Sequence, residues 1–160
     1  KTLEGAAKGI APDRIVVAVQ GVFGQLSTAA SVMRSAGAAP TTQEIEAGAF
    51  ALGAGLTSGD VALLTETADA SHPTMAVLQV AGALAALGVP RAQTVGLVRA
   101  EVRSGLPLGD LTNLPAQVQA AAASGASPDA AATGLERAAQ AHAGQSVQPK
   151  GKAKGNPHRP

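Results

Sequence analysis

Few residues in this chain are equipped for acid–base, nucleophilic or metal chemistry, and their spacing is poor for all three. His72 stands in a helix-breaking turn before Pro73, with Asp69 three residues upstream. His142 lies near the end of the last expected helix and His158 in the C-terminal tail. No H-x-x-x-H or H-E-x-x-H spacing occurs, so no zinc site is expected. Glu44 and Glu46 are two apart and point to different faces of a helix, which is wrong for a general acid/base pair. No serine lies in a G-x-S-x-G elbow. Gly5–Gly9 lacks the G-K-[ST] ending of a phosphate loop, and Gly53-Ala54-Gly55 lacks a third glycine. With no cysteine in the chain, disulfides, thiolate nucleophiles and Cys-based metal sites are excluded. The catalytic and cofactor sets are therefore read as empty. An enzyme would have to be built around His72 and Asp69.

Asp60 and Asp110 have a more informative setting. Gly55-Leu56-Thr57-Ser58-Gly59-Asp60-Val61-Ala62-Leu63-Leu64 and Gly105-Leu106-Pro107-Leu108-Gly109-Asp110-Leu111-Thr112-Asn113-Leu114 share the skeleton G-L-x-x-G-D-(V/L)-x-x-L, 50 residues apart. The leading glycine closes a helix and the leucine packs into the corner. The aspartate falls in the first turn of the next helix, where an acid meets the positive end of the helix dipole. Gly88 and Gly105 extend the punctuation as helix stops. Gly9 and Pro12 form an earlier corner, stop then start. The repeat implies an internal duplication of helical hairpins; the alternative is a chance match in a chain rich in Ala, Gly and Leu.

The elements that must hold these residues are helices. Alanine, the strongest helix former, dominates, punctuated by 19 glycines and 10 prolines. Apolar and polar residues seldom alternate over a useful length, so strands are not expected. Hydrophobic content is 46%, with two Phe and no Tyr or Trp, so the core must be built by close approach of small-faced helices. The longest helix is predicted from Pro12 to Ala36, with Ile15, Val19, Val22, Phe23, Leu26 and Met33 as its buried stripe. Thr41 and Glu44 have the form of a capping box for the next helix, whose inner side is read as Ile45, Ala49, Phe50 and Leu52. Further helices follow, closed by Gly55, His72-Pro73, Gly88 and Gly105. A short helix should stop at Pro115 and a new one begin there. Ser127-Pro128-Asp129 opens the last. Arg99 and Arg103 are expected on a solvated face. The fold class is all-α, a compact multi-helix orthogonal bundle spanning residues 1–144.

Two windows, Ile15–Met33 and Ala70–Pro90, lack charge for about a transmembrane length. Both are rich in Ala and Gly, which give little insertion drive, so they are read as buried helices. Residues 1–144 carry eight Lys/Arg against eleven Asp/Glu, and residues 145–160 add Lys150, Lys152, Lys154 and Arg159 without an acid. The acidic body has no field that would attract nucleic acid. The Pro/Gly/Lys tail is expected to be extended or disordered unless a partner binds it; it reads either as a solvated terminus or as an arm that touches an acidic protein or lipid surface, with nucleic acid the weakest of the readings.

The segment Leu3-Glu4-Gly5-Ala6-Ala7-Lys8-Gly9-Ile10-Ala11-Pro12-Asp13-Arg14-Ile15 resembles the motif L-E-G-x-x-K-G-x-x-P-x-R-I of uncharacterised exported, Ala-rich, all-helical bacterial proteins. Gly48–Asp60 resembles a later stretch of the same group, and the likeness runs loosely over residues 1–115. It implies an all-helical fold and a periplasmic or extracellular location. It implies no activity, cofactor or metal. The expectation is a non-catalytic exported interaction or scaffold module, an extrinsic subunit of an envelope or membrane-associated assembly with protein partners. The alternative is a bundle that binds a small apolar ligand or lipid, lined by Phe23, Phe50 and Met75.

Overall fold

The computed structural model describes residues 12–145, and among them every regular element is an α-helix. In chain order these are α1 (Pro12–Ser35), α2 (Thr42–Gly53), α3 (Ser58–Thr67), α4 (Thr74–Ala86), α5 (Arg91–Ser104), α6 (Leu108–Ala123) and α7 (Pro128–Gln145). The compact multi-helix bundle is as expected. Gly9, His158 and the tail residues Lys150, Lys152, Lys154 and Arg159 lie outside the described residues, as does the side chain of His142.

The corners explain why the rods are short. Gly55 and Gly105 take φ of 106° and 72°, a region closed to most side chains by their Cβ. At each, the following residue donates its N–H back to the last turn, Leu56 to Ala51 O and Leu106 to Glu101 O, both at 3.1 Å. This is the six-to-one bond of a Schellman stop, which satisfies an end carbonyl and turns the chain. Leu56 is then carried into the core and Leu106 into partial burial. The same bond recurs from Ala38 to Met33 O, Val89 to Leu84 O and Ala126 to Ala121 O.

Helix starts are specified with equal economy. Thr41 and Glu44 close the expected capping box around α2, with Glu44 N donating to Thr41 Oγ1 and Thr41 N donating to a Glu44 carboxylate oxygen at 2.8 Å. Thr57 and Asp60 do the same for α3. Ser127 Oγ accepts from Ala130 N at the head of α7. A helix break was expected at Pro115, but α6 runs through it. Proline leaves one intrahelical acceptor without its donor. Leu111, Leu114 and Val118, all buried at i, i+3 and i+7 across that point, hold both turns on the core.

Helix α4 is the centre, buried on most of its circumference and packed by α2, α3, α5 and α6. Its Val77, Leu78 and Leu84 are fully buried with Leu64, Leu97, Val98 and Leu111. Small residues set the spacing around it. The inner face of α2 is Ala47, Gly48, Ala49 and Ala51, while Phe50, expected inside, is 47% exposed. Its ring lies over Gly82 of α4, where an added Cβ would meet Phe50 Cδ1 at 2.6 Å and Ala51 Cα at 3.2 Å. Gly82→Ala should therefore cost about 1–3 kcal/mol by pushing α2 off α4. Chemical denaturation measures this, and Phe50→Leu on the Gly82→Ala background should restore part of the loss.

Candidate functional site

Helix α1 is where the sequence pattern and the structure part. Ile15, Val19, Val22, Leu26, Ala29 and Met33 follow a 4-3-4-3-4 spacing and so form one face of the helix. The stripe enters the core only at its end. Ala29 and Met33 are fully buried, whereas Ile15 and Leu26 are half-buried and Val19 and Val22 are exposed. The reason is length. Helix α1 has 24 residues and its antiparallel neighbour α2 has 12, or about 36 Å against about 18 Å. The two helices meet closely where Gly48 faces Ala29 Cβ, and their contact ends where Gly53 faces the Gln25 side chain. Beyond Gln25 the helix overhangs.

The overhang is apolar on every side. Val16, Val17 and Phe23 are 51%, 67% and 71% exposed, and Gln20 is the one polar side chain from Ile15 to Gly24. By length and composition α1 is able to cross a membrane, and only 11% of its apolar window is buried. At the foot of the overhang an open groove of about 490 Å³ runs between α1 and α2, lined by Val22, Leu26, Ala49, Phe50 and Ala86 among others. Glu46 is its one charged lining residue. A second groove of about 500 Å³ lies on the other side of Phe50, with Met75 and Gln79. Phe50 and Met75 thus share a groove, and Phe23, expected to join them, lines neither.

His72 is 3% exposed, and both ring nitrogens are occupied. Nε2 lies 2.6 Å from Leu106 O and Nδ1 lies 3.1 Å from Asp69 Oδ1. Both partners, a carboxylate oxygen and a backbone carbonyl, are hydrogen-bond acceptors. In an Asp–His catalytic pair, Nε2 faces the nucleophile. Here that nitrogen is committed to a backbone carbonyl 34 residues away, and the ring ties the α3–α4 loop to the α5–α6 corner. Asp69 Oδ1 also accepts from Ser71 N and His72 N, each at 2.7 Å. The His72 N–H, foremost, holds the Asp69 carboxyl below the usual aspartate range against the opposing effect of desolvation, with the Ser71 N–H and the His72 ring adding to the lowering.

The other residues singled out from sequence occupy helix ends. Asp60 completes the Thr57 box, with Arg91 Nε 3.7 Å from its carboxylate. Asp110 sits in the first turn of α6, but Pro107 stands where Thr57 stands in the first copy, so no side-chain cap bond forms. Gly88 turns at φ 88° and Pro12 opens α1. Arg99 and Arg103, expected on a solvated face, line a groove of about 270 Å³ between α5 and α7 with Gly96, Glu136 and Gln140. Arg99 Nε is buried there without a hydrogen-bond partner. Among the described residues no group of three or more His, Asp or Glu is placed to hold a metal ion.

No family model, curated protein or solved structure matches the chain.

The Asp69 shift fixes a pH dependence. A carboxyl with a folded pKa below its unfolded one stabilises the fold above the unfolded value, and that contribution disappears as pH falls through the folded value. Asp69→Asn should therefore flatten the stability profile below about pH 4. Thermal melts across that range measure the effect, and carboxyl NMR should show Asp69 titrating below an ordinary aspartate. A midpoint at or above the ordinary value would contradict the hydrogen-bonded turn.

Proposed function

We propose that this chain is a non-catalytic, exported helical interaction module that serves as an extrinsic subunit of a larger envelope or membrane-associated assembly. The observation that carries this is the α1 overhang, an apolar rod projecting from an otherwise well-sealed bundle. Contiguous exposed apolar surface of this kind marks an interaction site in a folded protein. A helix apolar on all sides is stable only when surrounded. The polar constellations support the same reading from the other direction, since His72, Asp69 and Asp60 spend their hydrogen-bonding capacity on loops and caps. Export rests on the resemblance carried by Leu3–Ile15, and the apolar length of α1 is compatible with it. The basic tail, with Lys150, Lys152, Lys154 and Arg159, would add a salt-sensitive contact to an acidic partner surface.

Separation of native envelope complexes tests this. The wild-type chain should migrate with a larger assembly, and Phe23→Glu should release it. The melting temperature should stay the same, because Phe23 is 71% exposed and lies outside the core cluster. A wild-type chain recovered alone, soluble and indifferent to salt would count against the proposal. The grooves flanking Phe50 favour the second reading, a small apolar ligand, which predicts saturable uptake of a fluorescent fatty acid that Phe50→Ala abolishes.

A further inference from the structure

Resting on that reading of α1 as a docking element, we infer that its immediate occupant is a second copy of this chain, paired two-fold and antiparallel through the overhangs. A two-fold contact must use one self-complementary patch. This molecule carries a convex and a concave apolar feature side by side, the overhang and the groove at its foot. Laying the overhang of one copy into the groove of the other consumes both features, and the same contact repeats in reverse.

The register follows from charge. The groove's one charged lining residue is Glu46, and the overhang's one cation is Arg14, near its tip. Placing Arg14 of each copy at Glu46 of the other sets the helices crossing near Val22 and Phe23. Val19 then faces Leu26 of the other copy, and Ile15 and Val16 lie over its last buried turns.

A bilayer fits the same surface less well. The uncharged part outside the bundle, Ile15 to Gly24, is about 15 Å long, half the hydrocarbon thickness of about 30 Å. Asp13 and Arg14 sit at the end that would enter first. Spanning would require drawing Ala29 and Met33 out of the core, where both are fully buried. A helix lying flat on the lipid needs a charged face, and this one offers Gln20 alone.

Sedimentation of the full chain should show a dimer. Arg14→Glu and Glu46→Arg should each weaken it about tenfold, and the double exchange should regain most of that loss. The chain has no native cysteine, so Val22→Cys or Phe23→Cys should form a disulfide-linked dimer on mild oxidation while Thr112→Cys on α6 does not. A wild-type monomer at tens of micromolar, or cross-linking as fast at position 112 as at 22, would overturn the two-fold pairing. Charge exchange without recovery would overturn the register and with it the groove. The two proposals fail separately. A monomer that still enters a larger native complex through Phe23 keeps the interaction module and loses the dimer. A dimer that enters no larger complex does the reverse.

Discussion

The fold depends on a backbone event repeated at five corners. At Gly37, Gly55, Gly88, Gly105 and Gly125 the chain crosses to positive φ, and the next residue returns its N–H to the preceding helix. Each corner stops a helix within a residue or two and fixes the direction of the next. The five helices from α2 to α6 are 10 to 16 residues long, a length at which an isolated helix is marginal in water. Their stability must come from packing, so corner geometry and core are one problem. The repeated G-L-x-x-G-D skeleton has its physical basis here. A helix stop, a buried leucine and a first-turn acid are a compact solution to turning a helix. Thr57 completes the second half of that solution with a capping box and Pro107 with a fixed φ, so the two copies reach the same corner through different chemistry.

The core those corners fold has no Tyr or Trp to fill volume. It works through distance instead. Gly48 against Ala29 and Gly82 against Phe50 bring backbones to a separation that leucine would prevent. The apolar area per residue is modest, but α4 is surrounded, and its Val77, Leu78, Ala81 and Leu84 reach full burial. The cost of this scheme is intolerance, since one methyl at Gly82 must displace the Phe50 ring and press on the α2 backbone at Ala51. His72 adds a long-range polar tie to the backbone carbonyl of a distant corner. It clamps a loop with no helix of its own.

Local chemistry in this sequence was legible because it is local. The Thr41–Glu44 box, the Ser127 cap and the stops at Gly55, Gly88 and Gly105 each depend on residues within one turn. The all-helical class followed from the same signals. What failed to show was everything set by a neighbour's length or position. Pro115 reads as a break because the local rule sees a missing donor and not the three core residues that override it. Phe50 reads as core because it is aromatic, yet α2 turns its small residues inward so that α4 can come close. The stripe on α1 has the periodicity of a buried face along its whole length. Whether such a face is covered depends on where α2 stops, and no pattern within α1 carries that information. His72 was visible as a turn residue; its acceptor at Leu106 is a contact no spacing rule could give.

The overhang then bears on stability as well as recognition. Its roughly 13 residues lie at the length where a helix alone in water is poorly populated, and Val16, Val17 and Phe23 on it are more than half exposed. Its helicity is propagated from the turns that Gly48 and Gln25 anchor. Burying Val16, Val17, Val19, Val22 and Phe23 would contribute about 1.5–3 kcal/mol for each side chain taken fully out of water, and these five begin 41–71% exposed. Because each is already partly covered, the gross gain is about 4–8 kcal/mol, against about 5–15 kcal/mol for the whole stability of an ordinary domain. Association itself costs several kcal/mol in lost freedom, so the surplus is small and sensitive to how completely the rod is surrounded. A partner covering one side would leave Val17 or Phe23 in water. One that wraps the rod gains on every face, and the residues that make α1 conspicuous in isolation would then form the best-packed helix in the assembly.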